Sequence, residues 1–126
     1  MSASDLRSTT ATVLLAPIDC ANTAAATSGW VSTIGYEGDI AFIQSTGVVT
    51  AGTIVGKIQT ATDGSGTGAA DITGAAFTSV GTSTDNDVQK IIINATQSTG
   101  YVRYVGTIGT GPALVGAVMV GRTDTV

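Results

Sequence analysis

The side chains that could do chemistry are few, and none falls into a catalytic pattern. The chain holds nine carboxylates, five Lys/Arg, one cysteine and no histidine. Without histidine it lacks the commonest metal ligand and the commonest general base. Glu37 and Asp39 flank a glycine in the segment YEGD. Acid and base carboxylates must converge on one cleft, whereas two acids around a glycine read first as a turn. Asp63 and Asp71 bracket a second loop, and Asp85 with Asp87 lie in a third. A calcium loop needs about six to eight oxygens, but the EF-hand spacing fails because Gly74 stands where the closing Glu would be. These Asp residues are expected to cap turns by bonding nearby backbone N–H groups.

Gly64, Gly66 and Gly68 spell G-x-G-x-G. A phosphate loop needs Lys and Ser/Thr after its last glycine, then a helix; here Ala69, Ala70 and Asp71 follow. Lys57 and Lys90 sit in strand patterns with no nucleophile beside them, and the lone Cys20 can build neither an internal disulfide nor a cysteine metal cluster. No catalytic residue, metal or cofactor is expected. Asn94-Ala95-Thr96 is a formal glycosylation sequon, meaningful only on a eukaryotic secretory route. Tyr101 and Arg103, in the step YVRY, are of the types enriched at protein interfaces.

The elements carrying these residues are β-strands. Thr, Val and Ile number 22, 13 and 11, and with 17 Gly, 17 Ala and 10 Ser they make up most of the 126 residues. β-Branched residues favour a pleated, half-buried surface, and four Leu with one Glu is too little material for amphipathic helices. Strands are expected over 12–17, 30–36, 40–44, 54–61, 75–80, 88–94, 101–108 and 113–121, with Pro17 ending the first. In the 54–61 segment Ile54, Gly56, Ile58 and Thr60 share one face; in the 101–108 segment Val102, Tyr104 and Ile108 do. The predicted fold is all-β, a single-domain sandwich or jelly-roll-like barrel of seven or more short antiparallel strands. Residues 1–12 read as an extended polar arm and 13–126 as the sandwich domain.

A net charge of −4 argues against a basic nucleic-acid footprint. The longest apolar stretch, Ala113–Val120, is far below the ~20 residues that span a bilayer. No signal-peptide core is evident, so the protein is expected to be soluble and made in a reducing compartment.

Residues 54–121 carry a resemblance. The run GTIVGKIQTATDGSGTGAADITGAAFTSV, followed by VQKIIIN, GYVRYVGTI and ALVGAVMVG, is similar to small tailed-bacteriophage capsid decoration proteins, also called cement or head-stabilising proteins. The resemblance covers about half the chain and rests on word order and texture. Gly68 to Ala70 stand where that family's loop carries an aromatic. It implies a protein of the virion's outer surface, made in the host cytoplasm. Its implied partners are the major capsid protein and further copies of itself, often as trimers, with no nucleic acid or membrane. A tail or fibre component reading host glycans is the alternative, with Trp30 and Tyr36 as its candidate aromatic platforms; an adhesion module unrelated to phage is a third.

The last strand is apolar on both faces: Leu114, Val118 and Val120 on one, Val115, Ala117 and Met119 on the other. One face is expected to need cover from a symmetry mate. The candidate subunit or capsid contacts are Leu6, Arg7, Tyr101, Arg103, Val115 and Met119, with a homotrimer closed through Val115 and Met119.

Overall fold

The computed structural model describes residues 9–20 and 25–123. Ten strands run in the order β1 (Thr9–Cys20), β2 (Ala25–Thr27), β3 (Val31–Ser32), β4 (Tyr36–Val49), β5 (Gly52–Ala61), β6 (Ala70–Ala76), β7 (Val80–Gly81), β8 (Val88–Asn94), β9 (Tyr101–Thr110) and β10 (Ala113–Thr123). A 3-10 turn, Ala95–Gln97, joins β8 to β9 and is capped by Asn94. The strands form two antiparallel sheets, so the chain is an all-β sandwich. One sheet is ordered β1-β10-β4-β8; the other is ordered β2-β9-β5-β6, with β3 on β9 and β7 on β5.

Period-two alternation decides which residues meet between the sheets. Ile40, Phe42, Val115 and Met119 point inward from the four-stranded sheet, and Ile54, Ile58, Val102, Tyr104 and Ile108 from the other. Phe77 closes the core against Tyr104, ring centroids 6.1 Å apart. The faces expected for β5 and β9 are the ones observed; on β8 Ile93 is buried while Ile92 is exposed.

Several strands are longer than the sequence reading suggests, for local reasons. Thr9–Thr12, assigned there to the arm, begin β1: Thr9 pairs with Arg122 and Thr12 with Met119. Their polarity reflects an exposed edge strand, not an unpaired segment. The rest of the expected arm, with Leu6 and Arg7, lies outside the described residues. Pro17 does not end β1, because register shifts between Val13 and Leu15 and between Leu15 and Ile18 accommodate it, and an edge strand tolerates a missing N–H. YEGD is likewise not a turn. It lies within β4, which runs 14 residues. Gly38 takes φ +71 there, beside a register break between Gly121 and Arg122, as in a bulge that needs glycine.

Candidate functional site

The carboxylates of the loops are spent on local structure. Asp63 Oδ1 accepts from Ser65 N at 2.9 Å and from Thr67 N at 3.1 Å. Hydrogen bonds from Thr67, then Ser65, hold its carboxyl below the ordinary range. Asp85 Oδ2 accepts from Val49 N at 3.0 Å, and Asp87 Oδ2 from Gln89 Nε2 at 3.3 Å. Glu37 lies 3.7 Å from Arg122 across the β4–β10 pair. Among the described residues no three His, Cys, Asp or Glu side chains group where they could hold a metal ion. Cys20 is buried and free.

The outer face of the six-stranded sheet carries a polar ladder, beside Val55, which is exposed. Lys57 Nζ lies 3.1 Å from Asp71 Oδ1. Gln59 Nε2 donates to Asp71 at 2.8 Å. Arg103 Nε and Nη2 both donate to Gln59 Oε1, at 3.0 and 2.9 Å. The guanidinium is stacked 4.5 Å from the centre of the Trp30 ring. Donation from Gln59, then Lys57, holds the Asp71 carboxyl below its usual range. The G-x-G-x-G loop folds onto the same cluster: a Cβ at Gly66 would meet Trp30 Nε1 at 2.9 Å. Trp30 is therefore covered on one face by Arg103 and at its edge by Gly66. Tyr36 bonds Thr12 through its hydroxyl, 3.1 Å away.

The opposite outer face is different in kind. On β4 the outward residues are Ala41, Ile43 and Ser45, since Ile40, Phe42 and Gln44 point in. Across the sheet, Val13, Val118, Ile43 and Lys90 are in register, and so are Ala11, Val120, Ala41 and Ile92. Gly116, Ser45 and Val88 form a third row. Val13 is 58% exposed, Val88 65% and Ile92 54%. Between β1 and β4, over Gly116, lies a groove of about 260 Å³ lined by Val13, Leu15, Pro17, Ile43 and Val118. A second depression of about 400 Å³ opens between Asp39, Ala41, Lys90, Ile92 and Val120. These rows form an apolar patch on one sheet face, interrupted by Lys90 and Ser45.

Two expected contact residues are corrected by this geometry. Val115 and Met119 are 2% and 0% exposed and belong to the core, because the second sheet supplies the cover expected of a neighbour. The face of β10 left outside is that of Leu114, Val118 and Val120. Tyr101 and Arg103 are half-buried on the polar ladder's side. The contact reading missed Val13, Ile43, Val88 and Ile92. For Val88 and Ile92 a signal was in the sequence: VQKIIIN places them on the face opposite Ile91 and Ile93, so both of its faces carry large apolar residues.

No family model matches the chain, and no curated protein matches it. Among solved structures it is similar to a chain from Bacillus endospore appendages, described as disulfide-linked pili, at 9% identity and TM-score 0.49 over 94% of this chain and 90% of that one. It is also similar to a chain of infectious bursal disease virus, Gx strain, at 12% identity and TM-score 0.41 over 93% of this chain and 32% of that one.

Proposed function

We propose that the protein is a structural component of a tailed-phage particle that binds the outer surface of the capsid and stabilises it, with the major capsid protein as partner. The observation that carries this reading is the contrast between the sandwich's two outer faces. The six-stranded sheet presents mostly bonded polar side chains, with Val55 and Val105 among them, whereas the four-stranded sheet presents a larger apolar set, exposed Val13 and Ile92 beside half-buried Ile43, Val118 and Val120. A two-faced module of this kind lies with its apolar sheet on a protein surface and its polar sheet in solvent. Covering each large exposed side chain is worth about 1.5–3 kcal/mol, and many equivalent copies on a shell need only modest affinity each. The resemblance of residues 54–121 to capsid decoration proteins supports the same role.

The role is non-enzymatic, and no cofactor takes part in it. A glycan-reading tail or fibre role would need an open aromatic platform, and the stacking of Arg103 on Trp30 disfavours it. The test is attachment to particles lacking the protein. Wild type is expected to bind, and Val118→Asp to fold but bind at least tenfold more weakly. Equal binding by the variant would remove the apolar sheet face from the role.

A further inference from the structure

The apolar sheet face carries two opposite charges placed for self-complementarity. Lys90 on β8 and Asp39 on β4 border the same depression, together with Ala41, Ile92 and Val120. Ala41 pairs with Ile92. Lys90 lies two residues from Ile92 toward one end of the sheet, and Asp39 two residues from Ala41 toward the other. The ion pairs among the described residues are Lys57–Asp71 and Arg122–Glu37, so neither Lys90 nor Asp39 is used internally. A two-fold axis lying in the face and crossing the strands at the Ala41–Ile92 row exchanges the two ends of the depression. It brings Lys90 of each copy to the Asp39–Asn94 row of the other, one strand spacing from Asp39 and within reach of a lysine side chain.

We infer that in the free protein this face is covered by a second copy, in an isologous face-to-face dimer registered by two Lys90–Asp39 pairs. The inference rests on reading this face as the docking surface, and it adds how that surface is kept from water before the shell displaces the second copy. An isologous contact requires each patch to match itself after the two-fold rotation, and one cation and one anion equally far from the axis satisfy that condition. Exposed ion pairs add little affinity but do select partner and register. The pairs therefore set the geometry, and the Ala41, Ile92 and Val120 surface supplies the attraction. A single four-stranded face belongs with the smaller, weakly associating interfaces, so dimerisation is concentration-dependent. This also replaces the ring through Val115 and Met119, which the core has already claimed.

The experiment is sedimentation velocity on the full chain across about 5 µM to 1 mM, on wild type, Lys90→Asp, Asp39→Lys and the double variant, with circular dichroism to confirm folding. Wild type is expected to shift from monomer to dimer mass. Each single reversal should weaken the dimer by about tenfold, and the double variant should recover most of that loss because both pairs are restored with reversed sign. A wild type that stays monomeric throughout, a trimer mass, or a double variant no better than the singles would overturn the inference. Dimerisation that starts only when residues 1–8 are deleted would assign the face to the chain's own N-terminal residues and overturn it too. Particle binding by this face with a monomer in solution would sink the dimer alone. A charge-swapped dimer that never attaches to particles would sink the docking role alone.

Discussion

The Tyr104 hydroxyl donates to the side-chain carbonyl of Gln44, joining the two sheets through the middle of the core. Both residues are fully buried, and burial pushes the phenol well above its usual range. Gln44 Nε2 has no partner among the described residues, so the bond is the amide's one compensation for leaving water. The ring fits because glycines flank it. A Cβ at Gly56 would collide with Gln44 Oε1 and the Tyr104 hydroxyl, and one at Gly106 would meet the Tyr104 ring at 2.9 Å.

Tyr104→Phe leaves a buried carbonyl unpaired and is expected to cost about 1–3 kcal/mol. Gln44→Leu strands the hydroxyl in the same way. The double variant removes both partners and should be clearly less destabilised than the sum of the singles. Urea denaturation of all four proteins measures this coupling; additive losses would mean that the bond contributes nothing. Gly56→Ala should cost about 3 kcal/mol or more, because the displaced atoms belong to this packed pair.

Placement on the sheet faces separates two pairs of valine and methionine or isoleucine positions. Val115→Asp and Met119→Asp bury a charge in the core and are expected to abolish the cooperative fold. Val118→Asp and Ile43→Asp lie outside and should keep the β-type circular dichroism spectrum while losing contact with a partner. If Met119→Asp folds normally, the assignment of faces on β10 is wrong.

That β10 contrast shows how far the sequence could be read. Alternation in IVGKIQTA and YVRYVGTI assigned inner and outer faces correctly, because each has one wet side. ALVGAVMVG is apolar on both sides, so spacing alone could not say which side the second sheet covers. The long β4 was broken up for a related reason: Gly38 carries a turn signature, and only the pairing of Glu37 with Arg122 shows that it serves a bulge inside a strand. Pairing across 113 positions, Thr9 with Arg122, leaves no local trace in a run of threonines.

The loop closed by Asp63 should respond to acid. Its carboxyl is held below the ordinary value of 3.8 by hydrogen bonds from Thr67 and Ser65. A depressed folded-state pKa means that the stabilisation is complete above 3.8 and is lost as pH falls through the lowered value. Amide exchange at Ser65 and Thr67, corrected for intrinsic rates and followed downward in pH alongside the Asp63 side-chain carboxyl shift, is expected to show protection lost as that carboxyl protonates, below 3.8. Protection that survives after the carboxyl shift shows protonation complete would mean that the turn holds without the carboxylate.

The polar ladder is a separate, modest contributor. Trp30→Ala removes the stacking surface for Arg103 and is expected to cost about 1–2 kcal/mol of stability, read from the thermal midpoint, with attachment to particles unaltered. Lost attachment with an unchanged midpoint would move the docking surface to the six-stranded sheet.

Cryo-electron microscopy of the particle bears on the central claim most directly, since the two outer faces differ enough to orient the sandwich in density. The expected map shows this protein on the outer capsid surface, with the β1-β10-β4-β8 sheet against the shell, Val13, Val118 and Ile43 in contact, and Arg103 and Trp30 facing solvent. Density for the protein on the tail or fibres, or on the capsid with the six-stranded sheet inward, would contradict it.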